Sequence, residues 1–296
     1  MIRDDSLRAV ELAFLNAPFR ADGWLAAMRG LAAVTGTRVA QLIGVGGPMA
    51  LPLNLLTECP HDPHGHIGNP LLYGPINWRI NTTERPMTLE HEPHYRAYRE
   101  RGGTSMYDDA VSDLDMPFGC QSALIMDANG IIGVSLLRSS REGPCDAEVL
   151  DIFRRLARQA QRAVRVQLAL GYEAAEMMLG GLADRPEATL LLNRFGHVCA
   201  ATPAAEALFD HPQGLRLEGQ GLRLASIGES RALAAAQARL LLGDGTRGPV
   251  LHESRVGACT LRPGGRWRLF LCRLPALPHA LGFEPHLAVT LKPLGD

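Results

Sequence analysis

A continuous apolar stripe from Val149 to Met177 constrains this 296-residue chain more than any other feature. Val149, Ile152, Phe153, Leu156, Ala160, Ala163, Val166, Leu170, Ala174 and Met177 recur at three- and four-residue steps, the period that lines one face of an α-helix. Asp146 and Glu148 fall in the first turn, where acids oppose the helix dipole favourably. The pattern predicts one helix from Asp146 to about Leu182. A helix longer than about 25 residues does not fit inside an ordinary domain and reads as a connector or coiled coil. Arg154, Arg155, Arg158, Arg162 and Arg165 on its other faces read as a solvated surface. The chain therefore divides into a first domain over 1–144, a connecting helix over 145–185 and a second domain over 186–296, as its length also suggests.

The first domain opens with helical spacing over Ser6–Leu15, where Glu11 interrupts the apolar set, and over Asp22–Val34. Asp22 is placed to cap the second helix, and Gly36 to end it. Thr37–Val45 reads as a strand, stopped by Gly46-Gly47-Pro48. Cys120–Met126 and Ile131–Leu137 read as strands joined through Asp127-Ala128-Asn129-Gly130, because Asn-Gly accepts the positive φ of a tight turn. Between these, residues 48–118 resist periodic reading; the clearest helical pieces are Tyr95–Arg101 and Ser105–Leu114.

That irregular segment holds most of the candidate chemistry. Five of the eight Trp and Tyr residues lie within 73–107: Tyr73, Trp78, Tyr95, Tyr98 and Tyr107. Aromatic rings with polar tips suit a small-molecule pocket, since they combine apolar area with an orienting hydrogen bond. Asp108 joins them as the acid of the candidate ligand site, with Glu90 and Asp109 also near in sequence. Arg79 and Arg96 are placed to meet an anionic ligand. Cys59, His61, His64 and His66, in CPHDPHGH, have metal-ligand chemistry, but they sit among Pro and Gly without a second distal pair, and the preferred reading is a solvated His-rich loop with no metal. His91 and His94 are three apart in EHEPHY, where Pro93 argues against a regular helix. Cys145 near a helix start lacks a sequence-neighbouring His, so nucleophilic catalysis has little support. No P-loop, G-x-S-x-G or G-x-G-x-x-G element is present.

After Ala183-Asp184-Arg185-Pro186, the second domain reads as strand Thr189–Leu192, turn Asn193–Gly196, strand His197–Ala200 and a short helix begun by Thr202-Pro203. Ile227–Leu242 is a further helix. Val250–Arg255, Cys259–Arg262, Trp267–Leu274 and His286–Leu291 are strands, with Pro263-Gly264-Gly265 at a hairpin tip. The order gives an antiparallel sheet with helices on one face, an α+β class.

The stretch LLLNRFGHVCAATPAAEALF resembles the opening of a PAS domain. The first domain, with its two helices, strand, long variable stretch, Asn-Gly hairpin and closing helix, is similar to a GAF-like sensor domain. In this order, joined by one long helix, the two resemble the sensory region of bacterial LuxR-type transcriptional regulators. The resemblance implies a small-molecule sensor without enzymatic activity, its first domain binding ligand and its long helix passing the signal to an output domain or partner. It also implies that DNA is contacted only through a helix-turn-helix domain following the second module; the chain ends at Pro293-Leu294-Gly295-Asp296. His197 falls in the PAS-like part, where a haem ligand is conceivable, but no cofactor is expected.

Charge agrees with a protein that does not itself grip nucleic acid. Thirty basic residues face 31 acidic ones for a net charge of −1, whereas phosphate contacts need a basic surplus. No signal-like start or membrane-length apolar run is seen, and six scattered cysteines form no C-x-x-C pair, so a cytoplasmic protein with free thiols is expected. The long apolar seam predicts a homodimer.

Overall fold

A computed structural model describes residues 2–20, 22–45, 53–58, 61–67, 69–73, 76–102, 106–127, 130–180, 187–209, 215–218, 221–224, 226–242, 256–262, 265–274 and 284–294. They form two compact units, the first of residues 1–45 and 52–166, the second chiefly of 167–296. The class is α+β: both main sheets are antiparallel, and the helices lie outside the strand ladders.

In the first unit, helices α1 (Ile2–Asn16) and α2 (Gly23–Thr35) precede strand β1 (Val39–Val45). Asp22 does occupy the cap position of α2, but its side chain makes no capping bond; Gly36 ends the helix in the left-handed region at φ 60°, a conformation cheap only for glycine. Glu11, the acid that interrupts the α1 pattern, accepts a bidentate pair from Arg155 at 2.7 and 3.1 Å, and that hydrogen-bonded pairing holds its carboxyl below the usual carboxylate range.

The segment unreadable by periodicity contains short elements: β2 (Leu53–Leu56), a 3₁₀ turn (Pro70–Tyr73), α3 (Trp78–Asn81), β3 (Glu90–His91), α4 (Glu92–Gly102) and α5 (Met106–Asp113). Pro93 falls in the first turn of α4, where a missing N–H costs nothing. Strands β4 (Phe118–Asp127) and β5 (Gly130–Arg138) follow. They pair up to Asp127 opposite Gly130, which puts the glycine of the expected Asn-Gly turn in β5; Ala128 and Asn129 lie outside the described residues, as does the Gly46–Pro48 stop. The sheet order is β2-β1-β5-β4-β3.

Alternation divides this sheet into two chemically different faces. Opposite one another across β1 and β5 stand Ala40 and Leu136, and Leu42 and Val134; all four, with Leu124 of β4, are almost fully buried, as are Phe14, Met28, Leu31, Phe153 and Leu156 of the helices. The other face carries Gln41 opposite Ser135 and Ile43 opposite Gly133. That second face is the one the irregular segment covers.

Helix α6 (Ala147–Gly180) runs unbroken for 34 residues, about 50 Å at 1.5 Å per residue. Asp146 caps it, its Oδ1 accepting from the Val149 amide at 2.8 Å. The apolar stripe holds as far as Ala163 and then changes phase. Val166 and Met177 are exposed, Met177 at 76%, and Leu170 and Ala174 are half-buried. The buried line continues instead through Val164, Gln167, Gly171, Ala175 and Leu179. Steps of 3, 4, 4 and 4 residues follow a straight helix with its 3.6-residue turn, and the small Gly171 and Ala175 permit close approach on that face.

The second unit contains β6 (Ala188–Asn193), β7 (Val198–Ala201), α7 (Pro203–Phe209), a small hairpin β8 (Arg216–Glu218) and β9 (Gly221–Arg223), α8 (Ile227–Leu242), and β10 (Val256–Arg262), β11 (Gly265–Arg273) and β12 (Pro285–Leu294). The predicted strand Val250–Arg255, the punctuation at Ala183–Pro186 and most of the Pro263–Gly265 tip lie outside the described residues. The β8–β9 hairpin has no counterpart in the periodic reading. Thr202 stands before α7 as expected, but its hydroxyl accepts from the Thr189 amide at 2.9 Å and so ties α7 to the sheet. The main sheet runs β10-β11-β12-β6-β7. With strands counted in chain order within each five-stranded sheet, both have the order 2-1-5-4-3, so the two units share one sheet topology. A core of Leu190, Leu192, Leu208, Leu233, Leu271 and Val289, among others, lies between this sheet and α7 and α8.

Phe153→Ala should destabilise the first unit by about 3–5 kcal/mol, the cost of an unfilled aromatic site in a packed core, whereas Met177→Ala should change stability by no more than about 0.5 kcal/mol. Urea unfolding of the two variants checks the phase of α6 directly.

Candidate functional site

The polar face of the first sheet and the irregular segment enclose a two-lobed cavity. One lobe spans about 540 Å³ and the other about 460 Å³, both figures taking in space open to bulk solvent. Gln41, Ile43, Asn77, Arg79, Tyr107 and Leu137 border both. The floor is built from alternate residues of β1, β4 and β5, including Gln121, Ala123, Gly133 and Ser135. A Cβ at Gly133 would stand 3.5 Å from Ile43 Cγ2, an ordinary van der Waals contact, so the glycine lowers the floor at this point but a small side chain would also fit. The roof comes from the covering segment through Ile67, Leu72, Val111, Leu114 and Met116.

A directional chain of hydrogen bonds crosses the floor. Ser135 Oγ donates to Gln41 Oε1 at 3.1 Å, Gln41 Nε2 donates to Asn54 Oδ1 at 2.8 Å, Asn54 Nδ2 donates to the Tyr73 hydroxyl at 2.5 Å, and that hydroxyl donates to the Ile67 carbonyl at 2.6 Å. Each group polarises the next, which favours one arrangement of the set. Burial pushes the Tyr73 phenol up to about 12, so it stays a neutral donor throughout the physiological range.

The roof is fastened to the floor at α3. Asn77 caps the helix, its Oδ1 accepting from the Ile80 amide at 3.2 Å while its Nδ2 donates to the Leu72 carbonyl at 2.7 Å. From β4, Gln121 Nε2 donates to the Arg79 carbonyl and, at 3.1 Å, to Thr83 Oγ1. These bonds satisfy backbone groups that a short, irregular segment leaves without helical partners.

Arg79 is 4% exposed. Its Nη2 donates to the Met116 carbonyl at 2.6 Å and more weakly to the Phe118 carbonyl at 3.4 Å. The guanidinium lies 5.0 Å from the Trp78 ring centroid and 5.5 Å from that of Tyr95, a cation–π arrangement. Trp78 is itself packed against Tyr95 at 5.2 Å and edge-on to Tyr107 at 5.4 Å.

The aromatic residues named from sequence therefore separate into layers. Tyr73 and Tyr107 border the cavity. Trp78 and Tyr95 are buried behind it, supporting Arg79; Tyr95 donates to the Glu90 carbonyl at 3.3 Å, and burial raises its phenol well above the ordinary range. Tyr98 is half-buried beneath Arg101 and borders neither lobe. Asp108 accepts from Trp78 Nε1 at 3.2 Å and pairs with Arg99 at 2.9 Å, so it acts as a brace for the supporting layer. Asp109 and Arg96 are exposed. Glu90 is buried outside the lining; one oxygen accepts from Thr88, the other has no hydrogen-bond partner among the described residues, and burial raises its carboxyl. Periodicity did not find Gln41, Asn54 and Ser135 because a single polar residue within a strand carries no mark of which neighbour it meets.

The histidines take structural roles. His66 Nε2 lies 2.9 Å from Asp113 Oδ2 at the edge of one lobe, with His64 at 3.9 Å from the same oxygen. Asp62 accepts from the His66 and Ile67 amides at 2.8 and 2.7 Å and so closes this loop. His61 is exposed, and Cys59 lies outside the described residues. The His91 amide donates to His94 Nδ1 at 3.2 Å, and burial lowers the His91 imidazole. Among the described residues, no three or more His, Cys, Asp or Glu side chains are grouped to hold a metal ion. Cys145 is buried beside Cys120, whose thiol burial pushes up. His197 is buried, its amide bound to Asn193 Oδ1 at 3.0 Å in a turn that also takes the Phe195 amide at 2.9 Å.

No protein-family model matches the chain, and no curated protein sequence matches it. Among solved structures, similarity is found to the N-acylhomoserine lactone-dependent LuxR family transcription factor CepR2 from Burkholderia cenocepacia, at 19% identity and a TM-score of 0.39, over 56% of this chain and 95% of that one. The E. coli DhaR(N)–DhaL complex is similar at 11% identity and a TM-score of 0.26, over 99% of this chain and 90% of that one. Similarity at this level does not place the chain in either family.

Glu90→Gln should raise the melting temperature near neutral pH and leave it almost unchanged at about pH 4. A raised native pKa means that the folded chain keeps its proton to higher pH than the unfolded chain, so the wild type loses stability as pH climbs through that window. Glutamine has no such loss. Thermal unfolding of both proteins at the two pH values measures the difference.

Proposed function

We propose that the first unit is a small-molecule sensor and that the whole chain is the sensory region of a LuxR-type transcriptional regulator. The observation that carries the sensing role is the cavity itself: a mainly apolar, partly open pocket with a few convergent polar groups, spanned by an ordered hydrogen-bond chain. Such a lining is typical of sites that recognise metabolite-sized ligands. The regulator assignment rests on the PAS-like opening of the second domain and the GAF-like order of the first. In this reading, occupancy of the cavity shifts a balance between two packings of α6, which is what coupling between separate sites requires. DNA is then contacted through a domain outside this chain, and the protein works in the cytoplasm.

The reading assigns binding rather than turnover. His66 with Asp113 is the nearest approach to an acid–base pair on the cavity, and among the described residues no Ser, Thr or Cys donates to that histidine. The second copy of a homodimer is the partner that best suits Val166, Met177 and Met178, the large apolar side chains that α6 leaves exposed among the described residues. Exposed Leu12, Leu15 and Phe19 offer a further apolar surface, and this favours a second reading, a regulator that acts through protein contacts alone.

Mass spectrometry of protein purified under native conditions should find a small molecule released from wild type and missing from Val111→Phe, which fills one lobe. An empty wild type, or equal loading of both proteins, would falsify the sensing role and leave the protein-contact reading. Light scattering at micromolar concentration should give twice the 32.0 kDa chain mass, reduced to the monomer by Val166→Glu with Met177→Glu.

A further inference from the structure

Arg79 brings a positive charge to the cavity, and no carboxylate among the described residues pairs with it. Arginine stays protonated at any relevant pH, so burial cannot be relieved by loss of a proton. Buried charges in folded proteins are normally paired, because an isolated ion forfeits its hydration. Among the described residues Arg79 has no carboxylate partner, and three acids of the same segment are engaged elsewhere. Asp108 is taken by Trp78 and Arg99, Glu92 accepts from the Gly119 amide at 2.8 Å, and Asp113 faces His66.

The guanidinium is nevertheless held firmly in place. Met116 and Phe118 carbonyls engage Nη2, and the Trp78 and Tyr95 rings flank the group. Those contacts orient it without supplying a counter-charge. Nε is buried and has no hydrogen-bond partner among the described residues. One N–H donor, at Nε, therefore stands unsatisfied on a side chain that borders both lobes. Around it the lining is mainly apolar, through Leu72, Val111, Leu114 and Leu137, and the amide and hydroxyl groups of the floor are already bonded to one another.

We propose that the cavity selects an apolar organic acid whose carboxylate is received by Arg79 while its hydrocarbon body lies among these apolar side chains. This rests on the reading of the cavity as a ligand site and names the class of ligand. A carboxylate supplies both missing elements, the opposite charge and an acceptor for the Nε–H. The apolar lining favours one anionic head on an aromatic or aliphatic body over a polyanion, because Arg79 is the only arginine or lysine among the residues that border the lobes.

Calorimetric titration of the full chain at neutral pH with two matched pairs, octanoate against octanamide and phenylacetate against phenylacetamide, tests the class. At least one acid should bind roughly tenfold or more tightly than its amide. Arg79→Gln should abolish that preference by weakening the acid and leaving the amide within about threefold of wild type, and Arg79→Lys should retain part of it. Because Arg79 also anchors two carbonyls, circular dichroism checks the folding of both variants, while the acid–amide contrast in the wild type needs neither. Amides that bind as well as their acids overturn the carboxylate assignment but keep the ligand site. Failure of all four compounds at millimolar concentration overturns the assignment too, and the native mass-spectrometric comparison with Val111→Phe then decides separately whether the cavity is a ligand site.

Discussion

The antiparallel pairing of β1 with β5 governs what every other part of the first unit can do. Because side chains alternate across a strand, the register that sets Leu42 opposite Val134 necessarily sets Gln41 opposite Ser135 on the reverse face. One face is thereby committed to close packing with the helices. The other receives polar groups and a glycine, which neither pack tightly nor tolerate burial without partners. A slip of one residue would exchange the two faces and bury Gln41 in the helical core. The cavity is thus a consequence of the same register that builds the core.

The covering segment answers the needs of that second face. Its short elements carry few hydrogen bonds of their own, and side chains make up the difference: Asn77 caps α3, Gln121 reaches from the sheet to the Arg79 carbonyl, and Asp62 closes the loop before Tyr73. These attachments leave an enclosure rather than a collapsed interface, since the residues between them are held by backbone and aromatic contacts outside the cavity. Arg79 is the clearest case. Its surroundings fix its position and leave part of its bonding capacity for something else, the condition under which a rigid site discriminates between ligands by charge.

Helix α6 shows how a sequence pattern can be right about an element and wrong about its face. The residues from Val149 to Ala163 are buried as their spacing implies, and the helix runs as one piece. Beyond them the apolar residues Val166 and Met177 turn outward, while Gln167, Gly171 and Ala175 turn in. Choosing the most apolar residue at each turn follows hydrophobicity; the helix follows 3.6 residues per turn, and an inward position needs only a side chain small enough to fit or able to find a partner. Apolar side chains left outside in this way become available to another chain.

Much of this protein was decided locally. Capping and stop residues such as Asp146 and Gly36, the apolar runs of β4, β5, β6 and β12, and the periodicity of α2, α6 and α8 all act within a few residues, so the class and most elements were legible from the order of side chains alone. The concentration of aromatic residues between Tyr73 and Tyr107 also marks the segment that covers the sheet, within which Arg79 and Arg96 alike are cations placed to meet an anionic ligand; Arg79 borders the cavity and Arg96 is exposed. Tertiary structure alone decided which of those residues border empty space and which brace them. Tyr107 and Trp78 are both aromatic and close in sequence, yet one lines the cavity and the other supports Arg79 from behind. The partners Gln41, Asn54 and Ser135 come from three strands and meet only through register. Whether a buried charge is neutralised depends on the direction of carboxylates brought near it by folding, a property of three-dimensional placement that no spacing along the chain can encode.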